Sequence, residues 1–151
     1  MSFCLMSTHY HVLLRTPEPN LAVGMQLLNN RFARYFNRRH GGSGAVFRSR
    51  YHSGLIETDG HLLEVCRYIA LNPVRAGLCI RPEEWNWSSY GASIGATRSF
   101  PFVSSKQVLE LFADEERTAR VQLKRFVEDG LRTPAVSQTV PDTCLTPVVG
   151  Y

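Results

Sequence analysis

His9 and His11 flank Tyr10 near the start of the chain. On an extended strand alternate side chains share a face, so the two imidazoles project together while Tyr10 points to the opposite, covered side. Two imidazoles at that spacing can share one divalent ion. They can equally be histidines held by ordinary hydrogen bonds, and three residues do not decide between these. Tyr68 and Asn72 stand four residues apart in a helical pattern, hence on one helical face. A phenol can act as a covalent nucleophile, and an amide oxygen can be a third metal ligand. A half-buried aromatic and a helix-ending residue before Pro73 account for the same two positions. On composition and spacing alone, that structural reading is the stronger.

Arginines form the third feature. Arg31, Arg34 and Arg38 recur at spacings of three and four, and Arg39, Arg48 and Arg50 continue the run without an intervening acid. Residues 1–56 hold seven arginines and one acid, Glu18, whereas residues 57–151 hold ten basic and twelve acidic residues. A net charge of +4 is thus concentrated at one end. Such a half suits a polyanion, with a solvated helix face as the plain alternative. Phe47 and Tyr51 interleave with the last arginines, and aromatics beside phosphate contacts can stack on unpaired bases.

Other chemistries find no support. No apolar run approaches the ~18 residues of a membrane span, and residues 1–6 lack the basic flank and cleavage site of a signal peptide. Cys4, Cys66, Cys79 and Cys144 lie far apart with no C-x-x-C pair, which reads as reduced thiols in a cytoplasm. The glycines at 41, 42 and 44 lack the lysine of a phosphate loop. His40, His52 and His61 stand isolated in the sequence, as surface or hydrogen-bonding residues do.

The elements that must position these residues follow from periodicity. Residues 2–6 and 10–14 read as adjacent strands. Asn20 is the expected cap of a helix whose Leu21, Met25, Leu28, Phe32, Tyr35 and Phe36 mark one buried face, ending near Arg39 before glycines. Thr58-Asp59 caps a second helix, 60–71, which Pro73 should stop. Two anchoring tryptophans, Trp85 and Trp87, follow in a loop-rich stretch. Residues 1–90 form the expected core, 91–103 a linker, 104–132 a helical extension in two pieces, and 133–151 a disordered tail.

Five ordered blocks carry a resemblance. They are Met6-Ser7-Thr8-His9-Tyr10-His11-Val12-Leu13-Leu14; Leu28-Asn29-Asn30-Arg31-Phe32-Ala33-Arg34-Tyr35-Phe36-Asn37-Arg38-Arg39-His40; Phe47-Arg48-Ser49-Arg50-Tyr51; Arg67-Tyr68-Ile69-Ala70-Leu71-Asn72-Pro73-Val74-Arg75-Ala76-Gly77; and Trp85-Asn86-Trp87-Ser88-Ser89-Tyr90. Together they resemble the REP-associated tyrosine transposases, a branch of the HUH single-strand transposases, over about residues 2–130. The resemblance implies an α+β, ferredoxin-like sandwich of the HUH nuclease type. It places the metal pair on His9 and His11, the nucleophile on Tyr68 and a third ligand on Asn72. It also implies a magnesium or manganese ion, single-stranded DNA with hairpins as partner, and a nucleoid-associated cytoplasmic enzyme, with a homodimer as one assembly.

Such an enzyme nicks DNA through a 5′-phosphotyrosine and rejoins it. Members of the family carry a further strand and helix ahead of the strand matching residues 2–6. The expectation is therefore a sheet lacking a central strand, with an exposed apolar edge at residues 10–14. Two rivals share the sequence features. One is a catalytically inactive DNA-binding remnant; the other is a metal-dependent hydrolase that uses water in place of Tyr68.

Overall fold

Two short apolar runs, the second alternating half-buried and buried residues, form an N-terminal hairpin. The computed structural model describes residues 1–132 and 144–145. Strand β1 (Ser2–Leu5) pairs antiparallel with β2 (Tyr10–Leu13), with Cys4 opposite His11 and Leu5 opposite Tyr10. The turn between them is closed by the Met6 N–H donating to the His9 carbonyl at 2.8 Å. A two-residue strand, β3 (Cys144–Leu145), lies antiparallel along β2, with His11 opposite Cys144 and Tyr10 opposite Leu145. The expected open edge at β2 is therefore paired at Tyr10 and His11. The rest of the expected disordered tail lies outside the described residues.

The other edge is covered by residues 85–89. The Leu5 N–H donates to the Trp87 carbonyl, the Ser89 N–H to the Phe3 carbonyl, and the Trp85 indole to the Leu5 carbonyl. The Ser89 hydroxyl accepts from the Phe3 N–H. These bonds satisfy backbone groups of β1 that an edge strand would otherwise leave unpaired. Only one tryptophan is an anchor: Trp85 is half-buried, but Trp87 is 63% exposed.

Helix α1 (Leu21–His40) follows, then α2 (Asp59–Arg75). Gly41 closes α1 in left-handed geometry (φ 65°), which its missing Cβ permits. Asn20 is the residue before α1, but its amide donates to Glu18 instead of capping the helix. The predicted buried face of α1 is corrected: only Met25 is buried, while Leu28 is 49%, Phe32 44% and Tyr35 53% exposed. Tertiary contacts reach the helix mainly through a small aromatic cluster. Phe32 packs on Phe36 and Phe47, Phe47 packs on Tyr10, and the Tyr10 hydroxyl donates to Asn29.

Thr58 caps α2 as expected, its hydroxyl accepting from the His61 N–H. The predicted stop at Pro73 is corrected, since the helix runs through it to Arg75. Pro73 is buried, and its packing outweighs the local bias against helix at Asn72. The Asn72 amide nitrogen also donates to the Tyr68 carbonyl at 2.8 Å.

A 3-10 turn (Pro82–Glu84), α3 (Tyr90–Ser93), α4 (Lys106–Leu109) and α5 (Glu116–Arg132) complete the described chain. The architecture is α+β, and one core spans it: Cys4 and Leu13 of the hairpin, Cys66, Ile69 and Leu71 of α2, Val108 and Leu109 of α4, and Leu123 and Val127 of α5. Within 91–103, the stretch expected as a linker, residues 91–93 are buried in α3 and residues 95–99 are exposed, while the Phe100 and Phe102 rings lie 5.1 and 5.9 Å from that of Phe3.

Helix α5 approaches α2 closely at Gly130. A Cβ there would lie 2.6 Å from Arg67 Cδ and 2.9 Å from Leu71 Cδ1, and Leu71 is wholly buried. Gly130→Val is therefore expected to destabilise the chain by about 2 kcal/mol, because overpacking outweighs the helix-propensity gain. The urea midpoint measures it; an unchanged midpoint would show that α5 slides freely on α2.

Candidate active site on the hairpin and second helix

Strand alternation puts His11 on the sheet face covered by α2 and Tyr10 on the other, toward Asn29 and Phe47. His11 is 1% exposed. His9, at the end of the turn, brings its Nε2 to 3.1 Å from His11 Nε2, with the rings nearly perpendicular at 89°. Two nitrogens each about 2.1 Å from one ion and in adjacent coordination positions would be about 3 Å apart, so the spacing fits a shared cation. Among the described residues no group of three or more His, Cys, Asp or Glu side chains is placed to hold a metal. The donor set available to such an ion is therefore this imidazole pair, completed by other donor types.

Tyr68 reaches the pair from α2. Its ring stands edge-on to His11, with centroids 5.4 Å apart and planes at 86°. Asn72 follows one turn later, and its amide nitrogen is held by the Tyr68 carbonyl. That bond fixes the amide so that its oxygen is the group left to accept or coordinate. His11 and Tyr68 open on a cleft of about 660 Å³, bounded also by Leu13, Met25, Tyr51, Leu62 and Ile69.

Other nucleophile candidates are disfavoured by burial. Burial pushes the Cys4 and Cys66 thiols up to about 12, which leaves them protonated at neutral pH. It also pushes the Tyr10 phenol up to about 12, against the opposing effect of its hydrogen bond to Asn29.

The six arginines behave as a group. Arg31, Arg34, Arg38 and Arg39 lie on the second half of α1 and Arg48 and Arg50 on the loop after it, all exposed. None has a carboxylate partner among the described residues, whereas Arg67, Arg81, Arg120, Lys106 and Lys124 each pair with a glutamate. The α1 part of the track runs away from the cleft, whereas Arg50 directly precedes Tyr51, which lines it. Leu21 and Met25 of α1 line the cleft, and Arg31 lies roughly 9 Å and Arg38 roughly 20 Å farther along the axis from Met25. Phe47, expected to interleave as a stacking group, instead packs between Phe32 and Tyr10.

Sequence reasoning missed three positions. His52 and His61, which look isolated, both line the cleft beside Tyr68. Arg75 places its guanidinium carbon 6.0 Å from the Tyr68 ring centroid. The signal was present: 61, 68 and 75 are spaced by seven, which keeps them on one helical face.

With this geometry in view, comparison with known proteins is informative. A curated protein of Haemophilus influenzae named as a REP-associated tyrosine transposase is 26% identical to the chain across 64% of its length. The chain is similar to a REP-associated tyrosine transposase. It spans 61% of the length of that relative. No family model matches the chain, and no solved structure matches it. The likeness to this transposase supports the resemblance carried by the five sequence blocks. No helix among the described residues is long and apolar enough to cross a membrane.

Proposed function

We propose that the chain is a metal-dependent DNA-nicking and strand-transfer enzyme of the HUH tyrosine transposase type, acting on single-stranded DNA with hairpins. The observation that carries this reading is the approach of His9 Nε2 to His11 Nε2 at 3.1 Å with the Tyr68 ring edge-on to His11. The likeness to a REP-associated transposase supports a repetitive extragenic palindrome as the DNA partner.

Each residue has a definite task. His9 and His11 hold a magnesium or manganese ion, with the Asn72 amide oxygen as a third donor. When bound, that ion polarises the scissile phosphate and offsets charge that develops on it. Tyr68 supplies the nucleophile. Its oxygen bonds to phosphorus as the bond from phosphorus to the 3′ oxygen breaks, and the phenolic proton passes through solvent to the released 3′-hydroxyl. The 5′-phosphotyrosine retains a phosphodiester's bond energy, so a second 3′-hydroxyl can reverse the step without a nucleotide cofactor. His11 also packs against the Tyr68 ring, which limits the ring's freedom to turn from the phosphate.

Arginines of α1 hold the strand outside the cleft. Neutralising Arg31, Arg34 and Arg38 together is expected to lower the slope of log affinity against log salt by about 2, near 0.7 per phosphate contact on single strands. Unrelated sequences should weaken alike, because phosphates carry no sequence. Filter binding from low to high salt measures this; a changed base preference at an unaltered slope would show base readout instead.

The reading is tested by incubating the chain with end-labelled hairpin oligonucleotides and manganese. The expected products are a shortened labelled strand and a protease-sensitive protein–DNA adduct on a denaturing gel. Retardation without either product would identify a DNA-binding protein that does not cut.

A further inference from the structure

Arg75 has no task in the scheme above. It sits in the last turn of α2, where a cation commonly interacts with the helix's final carbonyls. No such hydrogen bond is made among the described residues, nor does Arg75 have a carboxylate partner there. Its guanidinium instead lies over the Tyr68 ring, 6.0 Å from the centroid, while the Arg75 residue remains exposed. Arg67, on the same helix, shows what a structural arginine looks like here. It is bonded to Glu64 and laid 4.3 Å over the Phe126 ring in the packing between α2 and α5.

Helical geometry places Tyr68, Asn72 and Arg75 within about 60° of arc on α2. Their side chains therefore offer an oxygen nucleophile, an amide and a planar cation along one line. A guanidinium is the side chain best shaped to grip a phosphate through two parallel hydrogen bonds. It carries fixed charge at every relevant pH, so it holds an anion whatever the protonation state of its neighbours.

We infer that Arg75 is a phosphate-holding residue of the nicking site, gripping the DNA phosphate that lies against Tyr68. The inference rests on the nicking reading for the identity of that phosphate, but not for the contact itself. The contact orients phosphorus toward the Tyr68 oxygen and offsets charge on the oxygens that do not leave. The imidazole pair then serves one side of the phosphate and Arg75 another.

Two measurements test it. The first uses a fluorescent single-stranded dT20 oligonucleotide, titrated at several salt concentrations with the full chain and with Arg75→Gln, Arg75→Lys and Arg125→Gln. Arg125 is exposed on α5 and controls for loss of one positive charge. Arg75→Gln is expected to lower the salt slope by about 0.7, Arg75→Lys to retain most of it, and Arg125→Gln to change it little. Equal slopes for Arg75→Gln and the unaltered chain, with melting temperatures matched, would overturn the inference whether or not any DNA is cut.

The second measurement is the single-turnover rate of adduct formation on a hairpin oligonucleotide at saturating DNA. Arg75→Gln should slow it by about 10²-fold and Arg75→Lys by about 10-fold, in line with the loss of one oriented charge at a reacting oxyanion. A helix-end role would leave that rate unchanged, which also overturns the inference. A reduced slope in Arg75→Gln with no adduct from the unaltered chain would keep the phosphate contact and reject nicking.

Discussion

Tyr68→Phe is expected to abolish the covalent protein–DNA adduct, by at least about 10⁴-fold, without unfolding the chain. The substitution removes one oxygen. The ring keeps its edge-on contact with His11 and its position beneath Arg75, and it remains packed against the shared core. The melting temperature should therefore stay within about 3 °C. Labelled hairpin DNA on a denaturing gel reads the chemistry, and circular dichroism reads the fold. A band that persists would place the nucleophile elsewhere, with Tyr51 the first alternative because it lines the same cleft. Cleavage that continues without any adduct would indicate direct attack by water and so a hydrolase.

The second large effect concerns the imidazole pair. His9→Ala and His11→Gln are each expected to reduce cleavage about 10³-fold under saturating manganese while changing DNA affinity less than about 3-fold. The asymmetry follows from the proposed separation of tasks, in which the arginines of α1 hold phosphates away from the cleft. The choice of variants follows from burial. His11 is 1% exposed, so an alanine there would leave a cavity as well as remove a ligand, whereas glutamine keeps volume and loses the imidazole. His9 sits at the end of a turn and is only half-buried, so truncation there is tolerated by the fold. Unaltered cleavage in both variants would remove the metal pair from the mechanism. Loss of cleavage together with loss of DNA binding would mean that the hairpin itself forms part of the DNA surface.

The likeness to a curated transposase and the geometry of the site are independent observations. Sequence similarity of 26% speaks to ancestry and says nothing of where side chains meet. The 3.1 Å approach of two imidazole nitrogens is a tertiary fact that shared ancestry alone would not require. Neither assigns a role to a residue, which is what the individual substitutions test.

Local periodicity made much of this protein legible from its residues. Read as extended chain, residues 9–11 bring both histidines together and turn Tyr10 away; pleating of β2 sets Tyr10 against His11, and the end of the turn carries His9 to its partner. The four-residue spacing of Tyr68 and Asn72 set both on one face of α2, and Thr58 announced where that helix begins. Three further matters depended on long-range packing. Pro73 continues α2 because burial in the core compensates for a local bias that sequence reasoning treats as decisive. The apolar stripe of α1 stays largely exposed, since periodicity shows which residues could be buried together but not whether anything covers them. Residues 85–89, some eighty positions away, close the free edge of β1, and Tyr68 comes from fifty-seven positions away to meet His11. Spacing along the chain fixes directions within one element, whereas distances between elements are set only when their faces pack.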